Sequence, residues 1–199
     1  MSDFIPKVLI FGHSFVRRLQ DDLVNGFDAR AKQNFNLAGS GVYVCLKGIG
    51  GRTVEKVMKH DVSSISSVKP DIIILEIGTN DLSYLPPEVV GSRIEELARF
   101  CRDELRIKVV VVCQVINRNK PHSTTPDSAF NTMAATLRQY LCVVLGNEEG
   151  IFLWEHRDFS HAVNLLSLDG VHCNPQGQYR LYRSYRGAIL KALHKLHAR

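Results

Sequence analysis

The chain has 199 residues, 45% of them hydrophobic and 23% charged, with a formal net charge of +5. That length can bury a substantial core in one domain, and that composition excludes a disordered, collagen-like or low-complexity polypeptide. A pI near 9.0 permits attraction to nucleic acid or anionic lipid without demanding it.

The first apolar run, Val8 to Phe11, predicts a strand over 7–12. His13, Arg17 and Arg18 follow it at once, so the run is no signal peptide, and an intracellular, cytoplasmic protein is expected. Leu19 and Leu23, four apart, predict a helix over 14–24. A second strand is expected over 42–46 and a helix over 53–60. Residues 71–77 are nearly all Ile and Leu, as in a strand buried on both faces. A helix over 87–105 has Pro87 close to its start and Ile94, Leu97 and Cys101 on one stripe. Residues 108–115 predict another buried strand, with Cys113 as filling, and this longest apolar run is too short to span a bilayer. Residues 117–126 are polar, contain two prolines and read as a loop that could border a site. Asp127 can cap a helix running to about residue 145, and 151–154 is a last short strand. The closing helix, 175–197, places Leu181, Tyr185, Ile189, Leu193 and Leu196 on one face and Arg180, Arg183, Lys191 and Lys195 on the other.

Strands alternating with helices, with no repeat or linker, predict one α/β domain over 1–199: a parallel sheet with helices on both faces and right-handed crossovers. Ligands in such sheets bind beyond the carboxyl ends of the strands. The cysteines (Cys45, Cys101, Cys113, Cys142 and Cys173) are odd in number and widely spaced, without C-x-x-C. Reduced thiols without a role are expected.

Four short motifs carry chemistry. Ser14 follows the first strand in Gly12-His13-Ser14; alone it reads as a helix N-cap, and with a base beside it as a nucleophile whose developing charge the helix terminus favours. Gly48, Gly50 and Gly51 read as a tight turn or as a backbone N–H open to a substrate; their spacing fits neither nucleotide-binding glycine motif. Asn80, in Gly78-Thr79-Asn80-Asp81, could cap a turn or aim its amide at an oxyanion, while Asp81 braces the loop. Asp169 and His172 could be a surface pair, or a carboxylate orienting an imidazole across a spacing of three. As metal ligands they would need partners such as His13, His60, Asp81 or His122, and no H-x-x-x-H or Cys/His cluster supports that. Each bland reading is the stronger in isolation. Ser14, Gly51 and Asn80 nevertheless all follow a strand's carboxyl end, and one shared site accounts for all four motifs.

Taken together the motifs resemble the SGNH (GDSL-type) hydrolases. Gly12-His13-Ser14 matches a block that normally reads Gly-Asp-Ser. Gly51 is placed in the second block from the following Arg52-Thr53. Gly78-Thr79-Asn80-Asp81 matches Gly-x-Asn-Asp, and Asp169, His172, Asn174 and Gly177 match the last block. The resemblance implies a flavodoxin-like three-layer α/β/α fold with sheet order 2-1-3-4-5. It also implies a nucleophile at Ser14, a base at His172, its orienter at Asp169, and an oxyanion hole of the Ser14 and Gly51 N–H groups with Asn80. His13 stands where the family has Asp, which is not among its catalytic groups. More narrowly, Gly12 to Arg18, with the basic composition, looks like the esterase domains in first-open-reading-frame proteins of LINE-type retrotransposons.

The expectation is therefore a carboxylic ester hydrolase using an acyl-enzyme, with no metal or organic cofactor, acting on a small ester or lipid. His13, Phe15, Val42, Tyr84, Leu85 and Val171 are near enough to the motifs to line its pocket. The rivals are a binding module on the same fold and a basic adaptor using Arg17, Arg18, Arg30 and Lys32. For the adaptor a solvated helix face is the plainer account. Nucleic acid could also engage other parts of a longer protein. Oligomeric state is not legible.

Overall fold

Five parallel strands in the order β2-β1-β3-β4-β5 form the sheet of the computed structural model, which describes residues 5–120, 127–157, 159 and 163–198. The strands are β1 (Lys7–Gly12), β2 (Tyr43–Gly48), β3 (Ile72–Glu76), β4 (Val109–Cys113) and β5 (Ile151–Trp154). The helices are α1 (Ser14–Asn25), α2 (Val54–His60), α3 (Val62–Val68), α4 (Pro87–Asp103), α5 (Asp127–Leu145) and α6 (Pro175–His197). This is the order 2-1-3-4-5 that the family resemblance implies.

Alternate residues of a strand point to opposite faces, which is why the central strands read as unbroken apolar runs. Val8, Ile10, Ile72, Ile74, Val109 and Val111 pack with α1 and α6 in one core. Leu9, Phe11, Ile73, Leu75, Val110 and Val112 pack with α2 to α5 in the other. Each such side chain contributes roughly 1.5 to 3 kcal/mol by leaving water, so two full layers hold the sheet ends in place.

Boundaries moved where apolar periodicity was weak. Strand β2 lies at the sheet edge with an exposed or half-buried pattern and runs to Gly48 rather than to Leu46. Helix α3 was not expected. Its sequence, VSSISSV, fully buries Ile65 alone, and its three apolar residues span too short a stretch of serines to read as a helix. Thr53 is the N-cap of α2 and accepts from Lys56 N, not its first residue. Helix α5 begins at Asp127 as expected. A cap by the Asp127 side chain and the loop over 121–126 lie outside the described residues. Among the described residues no helix is long and apolar enough to cross a membrane.

Candidate active site

The register of β1 sets Gly12 opposite both Gly48 and Glu76, so the chain leaving β1, β2 and β3 emerges along one edge. Two backbone bonds tie those exits together: Ile49 N–H donates to Gly12 O at 2.9 Å and His13 N–H to Glu76 O at 3.2 Å. Ser14 is the first residue of α1 and is partly buried. It is not the cap. His13 is the N-cap, its Nδ1 accepting from Phe15 N at 3.4 Å. Ser14 is thus relieved of capping, and its hydroxyl is directed elsewhere.

It meets His172: Oγ and Nε2 are 3.1 Å apart, although 158 positions separate them in sequence. His172 Nδ1 lies 2.7 Å from Asp169 Oδ2. Asp169 Oδ1 accepts from the backbone N–H groups of Val171 and His172, each at 2.9 Å. Partial burial alone would raise the Asp169 carboxyl. The two backbone donors and the His172 ring outweigh it and hold the group at about 2. An ionised Asp169 can only accept, so Nδ1 carries the proton and the Nε2 lone pair faces the serine hydroxyl.

The turn bearing this pair is fixed from both sides. Ser167 N–H donates to His172 O at 2.7 Å, and Asn119 N–H to Gly170 O at 2.8 Å. Gly170 has φ +68, and a Cβ there would come within 2.6 Å of Lys120 Cβ, so glycine is required on two counts. Behind the turn, Asn174 Oδ1 accepts from Gly177 N at 2.9 Å and caps α6.

Gly51 and Asn80 stand on the same edge, after β2 and β3. Gly51 is exposed with φ +70, and a Cβ would meet nothing within 4 Å, so backbone conformation rather than crowding calls for glycine. Asn80 makes no side-chain cap to the 3-10 turn Asp81–Ser83. Its Nδ2 donates to Arg52 O at 2.8 Å, which ties the two loops together. Asp81 braces this region as expected: it is buried, and its Oδ1 accepts from Val54 N at 3.0 Å.

Of the residues expected to line a pocket, His13 is fully buried and serves as a helix cap instead. Phe15 is also buried, its ring centroid 4.9 Å from His13 and 6.1 Å from His172, so it backs the imidazole rather than facing solvent. Val42 and Leu85 pack onto the two cores. Val171 is half-buried and Tyr84 is 70% exposed, which leaves both accessible beside the site. The ligand set considered from sequence does not assemble: His60 is exposed on α2, and His122 lies outside the described residues. The one group among the described residues with three potential metal-ligand atoms within 4.8 Å is Glu76, Cys113 and His156.

The sequence reading passed over that buried group. Glu76 Oε2 takes 2.9 Å and 2.8 Å hydrogen bonds from His156 Nε2 and Tyr185 OH. Burial works to raise Glu76, but His156 and His13 pull harder and keep it below the usual carboxylate range. Cys113, read as filling, is bonded to the same carboxylate, and burial pushes its thiol up. Arg118 was missed as well. It is buried against the Phe130 ring and donates to Thr79 O at 2.9 Å and Ser83 Oγ at 3.2 Å, which holds the Asn80 loop from behind. Burial lowers its guanidinium to about 10. The one visible signal was an acidic residue inside an otherwise apolar strand.

Comparison with known proteins bears on the fold and on the family. No curated protein matches the chain. Among solved structures, a GDSL-like lipase from Bacteroides thetaiotaomicron aligns with TM-score 0.68 at 16% identity, covering 94% of this chain and 88% of that one. An acetyl esterase with acetate ion aligns with TM-score 0.69 at 14% identity over 96% and 100% of the two chains. An acetylxylan esterase from Geobacillus stearothermophilus aligns with TM-score 0.65 at 15% identity over 96% and 94%. Those likenesses are of fold. Residues 10–180 match the GDSL-like Lipase/Acylhydrolase family, and the chain belongs to that family.

Proposed function

We propose that the protein hydrolyses carboxylic esters through an acyl-enzyme on Ser14. The carrying observation is the unbroken hydrogen-bonded line from Asp169 through His172 to Ser14 Oγ, 2.7 Å and 3.1 Å long in its two steps. Ser14 Oγ attacks the ester carbonyl carbon while His172 Nε2 takes the hydroxyl proton. The oxyanion is held by the Ser14 and Gly51 N–H groups and by Asn80 Nδ2. Collapse expels the alcohol, which leaves with the proton from His172. Water then gives its proton to the same nitrogen and attacks the acyl group, releasing the carboxylic acid and free serine. Asp169 stays ionised throughout and balances the imidazolium. Tyr84 and Val171, both reachable from solvent, are the candidates for contact with the acyl or alcohol group. Acetyl esters are the first substrates to test, because two of the similar structures are acetyl esterases. The narrower likeness carried by Gly12 to Arg18 would make this an esterase module of a longer retrotransposon protein, with nucleic acid bound elsewhere.

The test is hydrolysis of p-nitrophenyl acetate by the wild type and Ser14→Ala. Loss of the nucleophile should lower kcat by several powers of ten with the circular dichroism spectrum unchanged. Equal turnover in both proteins would remove the assignment, and a wild type inert to esters of every acyl length would favour a binding module on this fold.

A further inference from the structure

A cap residue is normally exposed at the surface, and its side chain answers to one backbone N–H. His13 differs. It is fully buried, and its two ring nitrogens face two different elements. Nδ1 accepts from Phe15 N in the first turn of α1, and Nε2 faces Glu76 Oε1 on β3 at 3.9 Å. Nε2 has no hydrogen-bond partner among the described residues, so the carboxylate acts on it across the gap as a charge. Glu76 cannot swing away. Its Oε2 is pinned by His156 and Tyr185, and His156 Nδ1 is held in turn by Ser184 Oγ at 2.8 Å.

These contacts have a direction. An acceptor Nδ1 must be unprotonated, so in a neutral ring the proton sits on Nε2, the nitrogen that faces the anion. A carboxylate there favours that tautomer and disfavours its alternative. Burial depresses the ring to about 4 despite the pull of Glu76, in keeping with a neutral cap. Next to the cap in sequence is Ser14, and beyond it is Phe15, whose ring packs against both the His13 and His172 rings.

We propose that His13 and Glu76 form one buried positioning unit for the nucleophile, in which the carboxylate orients the imidazole and the imidazole fixes the first turn of α1 that carries Ser14. The inference rests on the esterase reading of Ser14. Neither residue touches substrate, so their loss acts on the rate of acylation and leaves binding alone. The unit also forbids a second anion at position 13, because two buried carboxylates this close cannot both stay ionised.

The test is a double-mutant cycle read by p-nitrophenyl acetate kinetics and by melting temperature. H13D keeps a capping acceptor but places a carboxylate opposite Glu76. It should lower kcat at least tenfold, leave KM within about threefold, and lower the melting temperature. Adding E76Q should restore most of both losses. If H13D does not fold, H13N and H13F carry the comparison. H13N, which keeps an acceptor for Phe15 N, should retain kcat to within about fivefold, while H13F should lose at least tenfold more at similar KM. Additive losses in H13D/E76Q, or equal kcat in H13N and H13F, would overturn the proposal. Stoichiometric zinc in the wild type that E76Q releases would also overturn it, since Glu76 would then serve a metal with Cys113 and His156. An inactive wild type would instead count against the esterase reading, and the melting-temperature cycle would still report whether the two positions are coupled.

Discussion

Three hydrogen bonds converge on Asp169, two from backbone and one from the His172 ring. They hold the carboxyl at about 2, against an ordinary value of about 3.9 in an unfolded chain. The carboxylate is therefore charged wherever the enzyme is assayed, and it should contribute no inflection to kcat/KM above pH 4. Asp169→Asn should cost up to about 10⁴-fold in kcat, because the ring then loses its anionic orienter. The sign for stability follows from the depressed folded value: the contribution of Asp169 is present above about pH 4 and is lost as pH falls through the folded value near 2. Urea midpoints of wild type and Asp169→Asn should accordingly differ at pH 7 and converge by pH 2. Asn80→Ala should slow turnover by roughly 10² to 10³ with a smaller change in KM. If KM carried the whole loss, Asn80 would bind substrate instead. The residues of the hydrogen-bonded line were legible because each sits in a short local motif. Glu76 and His13 were not. The donors to Glu76 lie 80 and 109 positions away, and histidine is not among the residues favoured at a cap.

At the scale of elements, α6 closes one face of the sheet. Leu181 and Ile189 are fully buried there, whereas the adjacent Leu190 is 40% exposed. Ile189→Ala should cost about 2 to 5 kcal/mol and Leu190→Ala about 0.5 or less, both measured by urea unfolding. The stripe, from Leu181 to Leu196, was readable because it recurs over about four turns. The polar face was readable too, but not its contacts: Lys191 and Lys195 lie over the Phe152 ring at 4.9 and 5.5 Å, and Arg30 is paired with Asp28 at 2.6 Å. Cations drawn as a free basic face are thus partly engaged within the protein. Helix α3 stayed hidden because its apolar spacing covers only seven residues, four of them serine.

For the whole molecule, β1 lies between β2 and β3, and that arrangement brings Ser14, Gly51 and Asn80 to one edge. The turn with Asp169 and His172 reaches that edge from the far end of the chain. Apolar runs and turn residues sufficed to read a parallel α/β sheet and its functional edge from sequence, whereas the strand order followed from the family resemblance. The meeting of Ser14 with His172 depended on the turn around Gly170, whose anchor, the hydrogen bond from Asn119 N–H, is tertiary. Since the proposed chemistry uses only side chains and backbone, dialysis against EDTA should leave ester turnover within about twofold of the untreated protein. Chelator-sensitive activity restored by zinc or manganese would require a different mechanism. The most direct measurement is covalent: treat wild type, Ser14→Ala and His172→Ala with an organophosphonate ester probe, and map the modified peptide by mass spectrometry. One adduct is expected, on Ser14, in the wild type, with far slower labelling without His172 and none without Ser14. An adduct on another residue, or labelling of Ser14 at an unchanged rate when His172 is gone, would contradict it.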